Sequence, residues 1–291
     1  MKVVMGCMLT LLILTACEKD INFDLQEVAP LLVVDAQIEN GQAPVVILSK
    51  SFSYFDVLTP QLLSGSFVRN AEVYISNGSL THRLREYSYE LAPGINGWYY
   101  SIDSSNLATA FAGAFDGRYS LRILAEGNEY TSSTHIPAAS QFPDSIWFVP
   151  APQNPDTLKR VMYLRATDPP GRGNSYRYFT KINSAPFLPG KNVFDDQVID
   201  GSTYSLQFPP GVNRNRPIIA EDNFFRKGTW VTLKFASIDA ASYKFWNTWE
   251  FAYESIGNPF AQPNKVLGNI SNGALGAFCG YAAGYQTLMV P

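Results

Sequence analysis

Residues 119–136 read YSLRILAEGNEYTSSTHI, and this stretch decides the fold class. Every second residue before the predicted turn at Gly127-Asn128 is apolar or aromatic, from Tyr119 to Ala125. After the turn, alternate residues from Tyr130 to Ile136 again share one face. Side chains of a β-strand alternate between its two faces, so a period of two indicates strands rather than helices. The stretch therefore predicts a β-hairpin with one buried face.

The same period extends over the N-terminal part of the chain. It predicts short strands at 32–38, 45–50, 71–76, 80–87 and 98–100 in addition to the hairpin, seven in about a hundred residues. Asn77-Gly78 predicts a tight turn with positive φ at both residues. A single sheet would leave one apolar face in water, so two sheets packed face to face are expected. We therefore predict an immunoglobulin-like β-sandwich over residues 28–137, without the Cys–Trp–Cys core.

Two long connections of this sandwich, 51–70 and 102–116, carry more apolar residues than solvated loops usually do. They either fold back over the sandwich, which we favour, or contact a partner.

The proline-containing interval 137–144 is the predicted domain boundary, and residues 144–291 are predicted to form a second β-rich domain with one amphipathic helix. The helix is expected near 239–255, because Asp239 is a suitable N-cap and aromatic residues recur at helical spacing after it. This aromatic stripe is expected to pack on a sheet; the alternative is a ligand platform. Glycines at 273–290 are expected where sheets bend or backbones approach closely. The fold class is thus mainly β.

The balance of charged residues argues against a nucleic-acid-binding function. The chain has 291 residues, and 22 Lys and Arg stand against 25 Asp and Glu. A nucleic-acid-binding protein needs a basic face to neutralise phosphates, so no nucleic-acid partner is expected.

The first residues resemble a secretory signal. Lys2 is followed by a short apolar stretch, Val3 to Leu14, and then by Thr15-Ala16-Cys17. This stretch would rise only about 18 Å as a helix, less than the roughly 30 Å hydrocarbon core of a bilayer. Residues 1–16 are therefore predicted to be a signal peptide.

Leu14-Thr15-Ala16-Cys17 resembles the bacterial lipobox, and this resemblance implies that Cys17 carries fatty acyl chains such as palmitate. Residues 17–27 would form a lipidated tether, with the lipid bilayer as a partner through acylated Cys17. An ordinary signal peptide with a chance cysteine is the alternative. The acidic residues after Cys17 resemble a surface-export signal, although a solvated tether explains them equally well. Cys7 would leave with the signal, so Cys279 remains, and it is expected to be a buried structural residue.

Catalytic signatures are missing from the sequence. It contains no zinc-hydrolase, nucleophile-elbow or phosphate-loop motif, and His82 and His135 are its two imidazoles. Both are interpreted as ordinary strand positions. We therefore predict no enzymatic activity, no catalytic residues and no cofactor. Because glycosidase chemistry needs only two carboxylates, the sequence leaves that chemistry open.

Asp195, Asp196 and Asp200 form the densest acidic cluster and are weak candidates for a calcium site. They lack the regular one-three-five ligand spacing, so a solvated loop is favoured and no metal is expected. Arg214-Asn215-Arg216 is similarly interpreted as a solvated surface.

Several segments together resemble the Bacteroidetes outer-membrane lipoproteins called domain of unknown function 4249. Besides Cys17, they are residues 32–38 (LVVDAQI), 46–51 (VILSKS) and 68–73 (VRNAEV), Asp168-Pro169 ahead of 174–177 (NSYR), and Asn269-Ile270 followed by Gly273, Gly276 and Phe278. The resemblance implies an outer-membrane lipoprotein, often encoded beside TonB-dependent receptors. It implies no reaction.

We therefore expect a lipid-anchored, non-catalytic binding or accessory module of the outer membrane or cell surface, with an outer-membrane β-barrel transporter as its partner. The alternative is a surface glycan-binding protein or glycosidase that uses aromatic residues such as Trp98, Tyr99 and Tyr100.

Overall fold

The computed structural model describes residues 29–53, 56–138, 142–258, 260, 262 and 264–291. The predicted signal peptide (1–16) and the whole of the predicted lipidated tether (17–27), including Cys17, lie outside these residues. Within the part of the chain that the structure describes, neither helix combines the length and the apolar character needed to cross a lipid bilayer.

The chain is mainly β, as predicted. Its strands are β1 (Leu32–Glu39), β2 (Val45–Lys50), β3 (Glu72–Ser76), β4 (Thr81–Ala92), β5 (Ile95–Ser101), β6 (Arg118–Ala125), β7 (Asn128–His135), β8 (Ser145–Pro150), β9 (Lys159–Thr167), β10 (Ser175–Ile182), β11 (Leu188–Pro189), β12 (Phe194–Asp195), β13 (Thr203–Phe208), β14 (Phe225–Arg226), β15 (Trp230–Ile238) and β16 (Leu275–Met289). The helices are α1 (Pro60–Ser66) and α2 (Ala240–Glu254).

These strands form two sheets. The larger has twelve strands in the order β11-β10-β15-β16-β1-β2-β5-β4-β3-β6-β7, with β12 also paired to β10. Its neighbouring strands are antiparallel except β1 and β16, which run parallel. The smaller sheet has four strands and is built around β9, which pairs with β8, β13 and β14.

The long strand β16 organises the core. Phe278 and Ala282 on one face belong to a first core, together with side chains of β1, β3 and β6. The same face of the larger sheet also packs against the smaller sheet, and this contact forms a second core that includes Phe235 of β15. On the opposite face of β16, Cys279 and Tyr281 are covered by α2 in a third cluster. One strand therefore contributes side chains to the first core and to the third cluster, on opposite faces of the larger sheet.

Sheet pairing crosses the predicted domain boundary at 137–144. β16 follows that interval in sequence, yet it pairs with β1 from Val33↔Leu275 to Glu39↔Tyr281. The first and second cores are nevertheless separate clusters. The division into two domains stays a prediction, and the larger sheet joins both parts.

The predicted hairpin is β6–β7, but its turn lies one residue earlier than expected. Glu126 and Gly127 have φ values of 52° and 78°, and Ala125 pairs with Asn128. A two-residue turn of this type needs positive φ at both central residues, and these two meet that requirement. In the β3–β4 turn, Gly78 alone of the predicted pair has positive φ.

Both helices begin at capping side chains. Asp239 accepts a hydrogen bond from the Ser242 backbone N–H at 2.7 Å, as expected for the N-cap of α2. No helix was predicted in the connection 51–70, where α1 lies. There Thr59 accepts from Leu62 N–H at 3.1 Å and Pro60 occupies the first turn. Thr-Pro is a helix-start signal, so the sequence did contain the information.

Candidate functional site

The acidic loop is the first candidate. Asp168, Asp196 and Asp200 come together, with one carboxylate oxygen of each within 4.8 Å of the others. Asp195, also predicted for this cluster, instead interacts with the Tyr243 hydroxyl. No signal in the sequence marked Asp168 as a member, because Asp168 follows β9, whereas the predicted aspartates lie at the end of β12 and in the loop after it.

The oxygens of this cluster are already engaged by donors of the chain itself. Asp196 accepts from the backbone N–H groups of Gly173 and Asn174, both at 2.8 Å. Burial raises the pKa of Asp196, but these N–H groups outweigh it and hold the pKa below its usual value. Asp168 accepts from the Tyr176 hydroxyl at 2.6 Å. Three carboxylates could offer oxygens to a cation, although calcium takes six to eight. The observed bonds make the cluster a clamp between two loops.

Both histidines lie among partners of their own chain. His82 is buried, and its Nε2 accepts from the Asp103 backbone N–H at 3.0 Å. The proton of the neutral ring is therefore on Nδ1, which lies 2.9 Å from the Thr109 hydroxyl. Burial lowers the pKa of His82. His135 lies 2.9 Å from an Asp116 carboxylate oxygen. Both imidazoles therefore have structural partners within their own chain.

Cys279 is buried under α2. Burial raises the pKa of its thiol to about 12, so the thiolate is negligible at neutral pH. The residue acts as a small core side chain.

The aromatic stripe of α2 packs on the larger sheet and encloses a charge there. Trp246 donates from Nε1 to the Tyr281 hydroxyl at 3.0 Å. Arg177 of β10 is 3% exposed, and its guanidinium carbon lies 3.3 Å from the centre of the Trp246 ring. A guanidinium over an indole face is a favourable cation–π arrangement.

Arg177 belongs to a buried ion network. One of its terminal nitrogens is 4.0 Å from a carboxylate oxygen of Glu250, which is itself buried. The other Glu250 oxygen is hydrogen-bonded by Arg214, whose side chain is 14% exposed. Our interpretation of Arg214 as solvated surface was therefore wrong, because the loop that carries it folds against α2. The network holds α2 on the sheet and is not open to a ligand.

An exposed apolar surface lies at one end of the first core. We call it the apolar tip and define it by Val57, Leu58, Leu62, Tyr89 and Leu91. Val57 and Leu58 are 79% and 61% exposed, and the other members are also exposed.

The apolar tip joins α1 and its preceding loop to the β4–β5 hairpin. The Ser64 hydroxyl donates to the Asn96 backbone oxygen at 3.0 Å, and Asn96 pairs with Glu90 on β4. This bond joins the two segments that carry these exposed side chains. Groups of exposed apolar side chains on a soluble domain are typical of contact sites for other molecules.

The two apolar connections of the predicted sandwich fold back only in part. Phe111 of the connection 102–116 folds back and packs on the first core. Val57 and Leu58 of the connection 51–70 instead face solvent, as does Leu107.

The aromatic residues proposed for glycan stacking are largely covered. Tyr100 is buried, and its hydroxyl donates to the Val68 backbone oxygen at 3.0 Å. The Arg69 guanidinium carbon lies 4.6 Å from the Trp98 ring centre. Tyr99 stacks on Tyr87 with ring centres 5.6 Å apart. Each of these three rings is thus either buried or packed against a neighbouring side chain.

Comparison with known proteins gives one informative match. No curated protein matches the chain. Among solved structures, the crystal structure of a DUF4785 family protein from Legionella pneumophila matches at 9% identity with a TM-score of 0.20. The match covers 72% of this chain and 52% of that one, so the chain spans about half of its length. The model of the family described as "Domain of unknown function (DUF4249)" matches residues 18–287. The chain therefore belongs to the DUF4249 family.

Proposed function

We propose that the protein is a non-catalytic binding module, anchored to the bacterial outer membrane through acylated Cys17, whose apolar tip contacts an outer-membrane β-barrel transporter. The lipobox resemblance supports the anchor, and the Bacteroidetes lipoproteins that the sequence resembles support the location. The exposure of the apolar tip is the observation that carries the proposed contact.

Burial of the apolar tip would supply the driving force for association. Apolar surface removed from water contributes about 25 cal/mol per Å² before the costs of association are subtracted. Leu58 is the natural probe because it is exposed and immediately precedes the helix cap. A partner that covers α1 would have to lie against this side chain.

Site-specific photocrosslinking in the native bacterium tests the contact. A photoreactive amino acid at Leu58 should link the protein to a heat-modifiable β-barrel protein, identified by mass spectrometry. Val198 is 93% exposed in the acidic loop and provides the matched control position, where no such product is expected. A Leu58→Asp variant should lose the complex, and a Val198→Asp variant should keep it. Products that contain no barrel protein, or equal products at both positions, would contradict the proposal.

The anchor has its own test. Mass spectrometry of the protein from native membranes should find an N-terminal Cys17 that carries fatty acyl chains. An unacylated start, or recovery of the protein in the cytosolic fraction, would contradict anchoring.

Glycan binding is the second candidate, and one exposed aromatic pair favours it. Trp147 and Tyr163 are cross-strand neighbours on the small sheet, stacked with ring centres 5.8 Å apart. Trp147 is 38% exposed, and the Tyr163 hydroxyl lies 3.4 Å from Gln207 Oε1. Aromatic faces beside amide groups suit sugar rings. Glycan arrays probed with the wild type and a Trp147→Ala variant test this candidate, and uniformly blank arrays would remove it.

A further inference from the structure

A half-enclosed apolar cleft of about 730 Å³ lies between α2 and the segment that leads into β16. The side chains that line it are mostly apolar, namely Val33, Phe245, Trp249, Val266, Leu267 and Ile270. Its volume is within the roughly 300–1,000 Å³ of typical small-molecule sites. Its lining shares no residue with the apolar tip.

Glycines allow the backbone segments that line the cleft to approach one another closely. Gly268, Gly273 and Gly276 line it and contribute no side chain. A Cβ at Gly268 would lie 2.1 Å from the Gly276 oxygen, and a Cβ at Gly276 would lie 2.0 Å from the Val34 oxygen. Side chains at these two positions are therefore excluded by the close approach of backbones. Gly276, one of the glycines expected at 273–290, therefore lies where two backbones approach closely.

The wall of the cleft is fixed in place before any ligand binds. The Leu267 backbone N–H donates to the Thr248 hydroxyl at 3.0 Å. Asn269 exchanges hydrogen bonds with the backbone of Phe278, 2.8 Å in both directions. These polar groups are already paired, so a hydrocarbon ligand leaves them undisturbed. A peptide would bring unpaired donors and acceptors into an apolar cleft, which costs free energy.

Lys265 gives the cleft one charge. Among the described residues that line the cleft, Lys265 alone has a charged side chain, and it is exposed to solvent. A ligand with an apolar body and an anionic head matches this arrangement, because its body would fill the cleft while its head stays hydrated beside the ammonium group.

We propose that this cleft binds a fatty acid, with the acyl chain against Trp249 and Val33 and the carboxylate near Lys265. This inference does not rest on the proposed contact at the apolar tip, which involves other residues.

Calorimetric titration of residues 18–291, which contain every described helix and strand, tests the proposal. Octanoate, decanoate and dodecanoate are used below their micelle concentrations. Each buried methylene should tighten binding about fourfold until the cleft is filled. Dodecanoate with bromine on its chain should quench the fluorescence of Trp249, and a Trp249→Phe variant identifies that signal. Absence of heat with dodecanoate, or affinity that does not change with chain length, would overturn the proposal.

Two pairs of variants locate the site. Val33→Trp fills the cleft and should abolish binding, whereas Val45→Trp, on the same face of the neighbouring strand but outside the cleft, should bind normally. Lys265→Glu should weaken dodecanoate about threefold or more but not dodecyltrimethylammonium. Lys244→Glu on the exposed side of α2 is the matched charge control. Melting temperatures show whether each variant is folded. If Val33→Trp does not fold, the comparison of Lys265→Glu with Lys244→Glu tests the location of the site. Equal binding by both members of that pair would place the ligand elsewhere.

Discussion

Alanine at Gly280 should destabilise the protein by about 2–3 kcal/mol, since overpacking a tight contact costs about 1–3 kcal/mol. Gly280 lies in the middle of β16, where β7 crosses it. A Cβ there would lie 2.9 Å from both the carbonyl carbon and the oxygen of His135 and 3.0 Å from the Ile136 nitrogen. Optimal contacts between heavy atoms are about 3.5–4.0 Å, so β7 would have to move by most of an ångström.

That movement is difficult because the backbone of β7 is held from two sides. β7 pairs with β6 along its whole length, and the His135 N–H donates to Asp239 at 2.8 Å. Gly284→Ala provides the comparison, since a Cβ there meets the side chain of Phe142 at 2.5 Å. A ring can rotate away, so that change should cost less than about 1.5 kcal/mol.

Urea unfolding followed by tryptophan fluorescence measures both differences. Gly65→Ala is the control, because a Cβ at Gly65 meets nothing within 4 Å and its backbone conformation suits alanine. It should be neutral or stabilising by up to about 1 kcal/mol. If Gly280→Ala were as stable as wild type, or if Gly284→Ala were the more damaging change, the account of a tight strand crossing would be refuted.

Three further predictions concern buried polar groups. Glu250→Gln should lower the free energy of unfolding by about 3 kcal/mol, since it removes the negative charge that faces the largely buried guanidinium groups of Arg177 and Arg214. Exposed Glu254→Gln should stay within about 0.5 kcal/mol of wild type in the same urea titration. Because the pKa of Asp196 is held below its unfolded value, this group stabilises the fold above that value and the stabilisation is lost as the pH falls through the folded pKa. Acid unfolding of Asp196→Asn should therefore depend less steeply on pH, and an unchanged slope would contradict the clamp. Cys279 should react with a thiol reagent only on the timescale of unfolding, since burial raises the pKa of its thiol to about 12. Absorbance measures the reaction in native buffer and in urea, and rapid labelling of the native protein would disprove the burial of Cys279.

The sequence alone determined the features that depend on neighbours along the chain. Alternation fixed the β6–β7 hairpin and the buried face of β6, because side chains of a strand point to opposite faces in turn. Asp239 marked the start of α2 through a capping bond that spans three residues. The turn at Glu126-Gly127 was misplaced by one residue, because several polar residues there suit a turn and strand pairing selects among them.

The tertiary structure decided everything that joins distant segments. It brought Asp168 to Asp196 and placed Arg177 under α2, and neither association has a local signal. It also placed Gly280 at the point where β7 crosses β16, and it placed Gly268, Gly273 and Gly276 along the cleft. The physical reason is that long-range packing depends on which strands pair, and periodicity reports only which face of a strand is apolar.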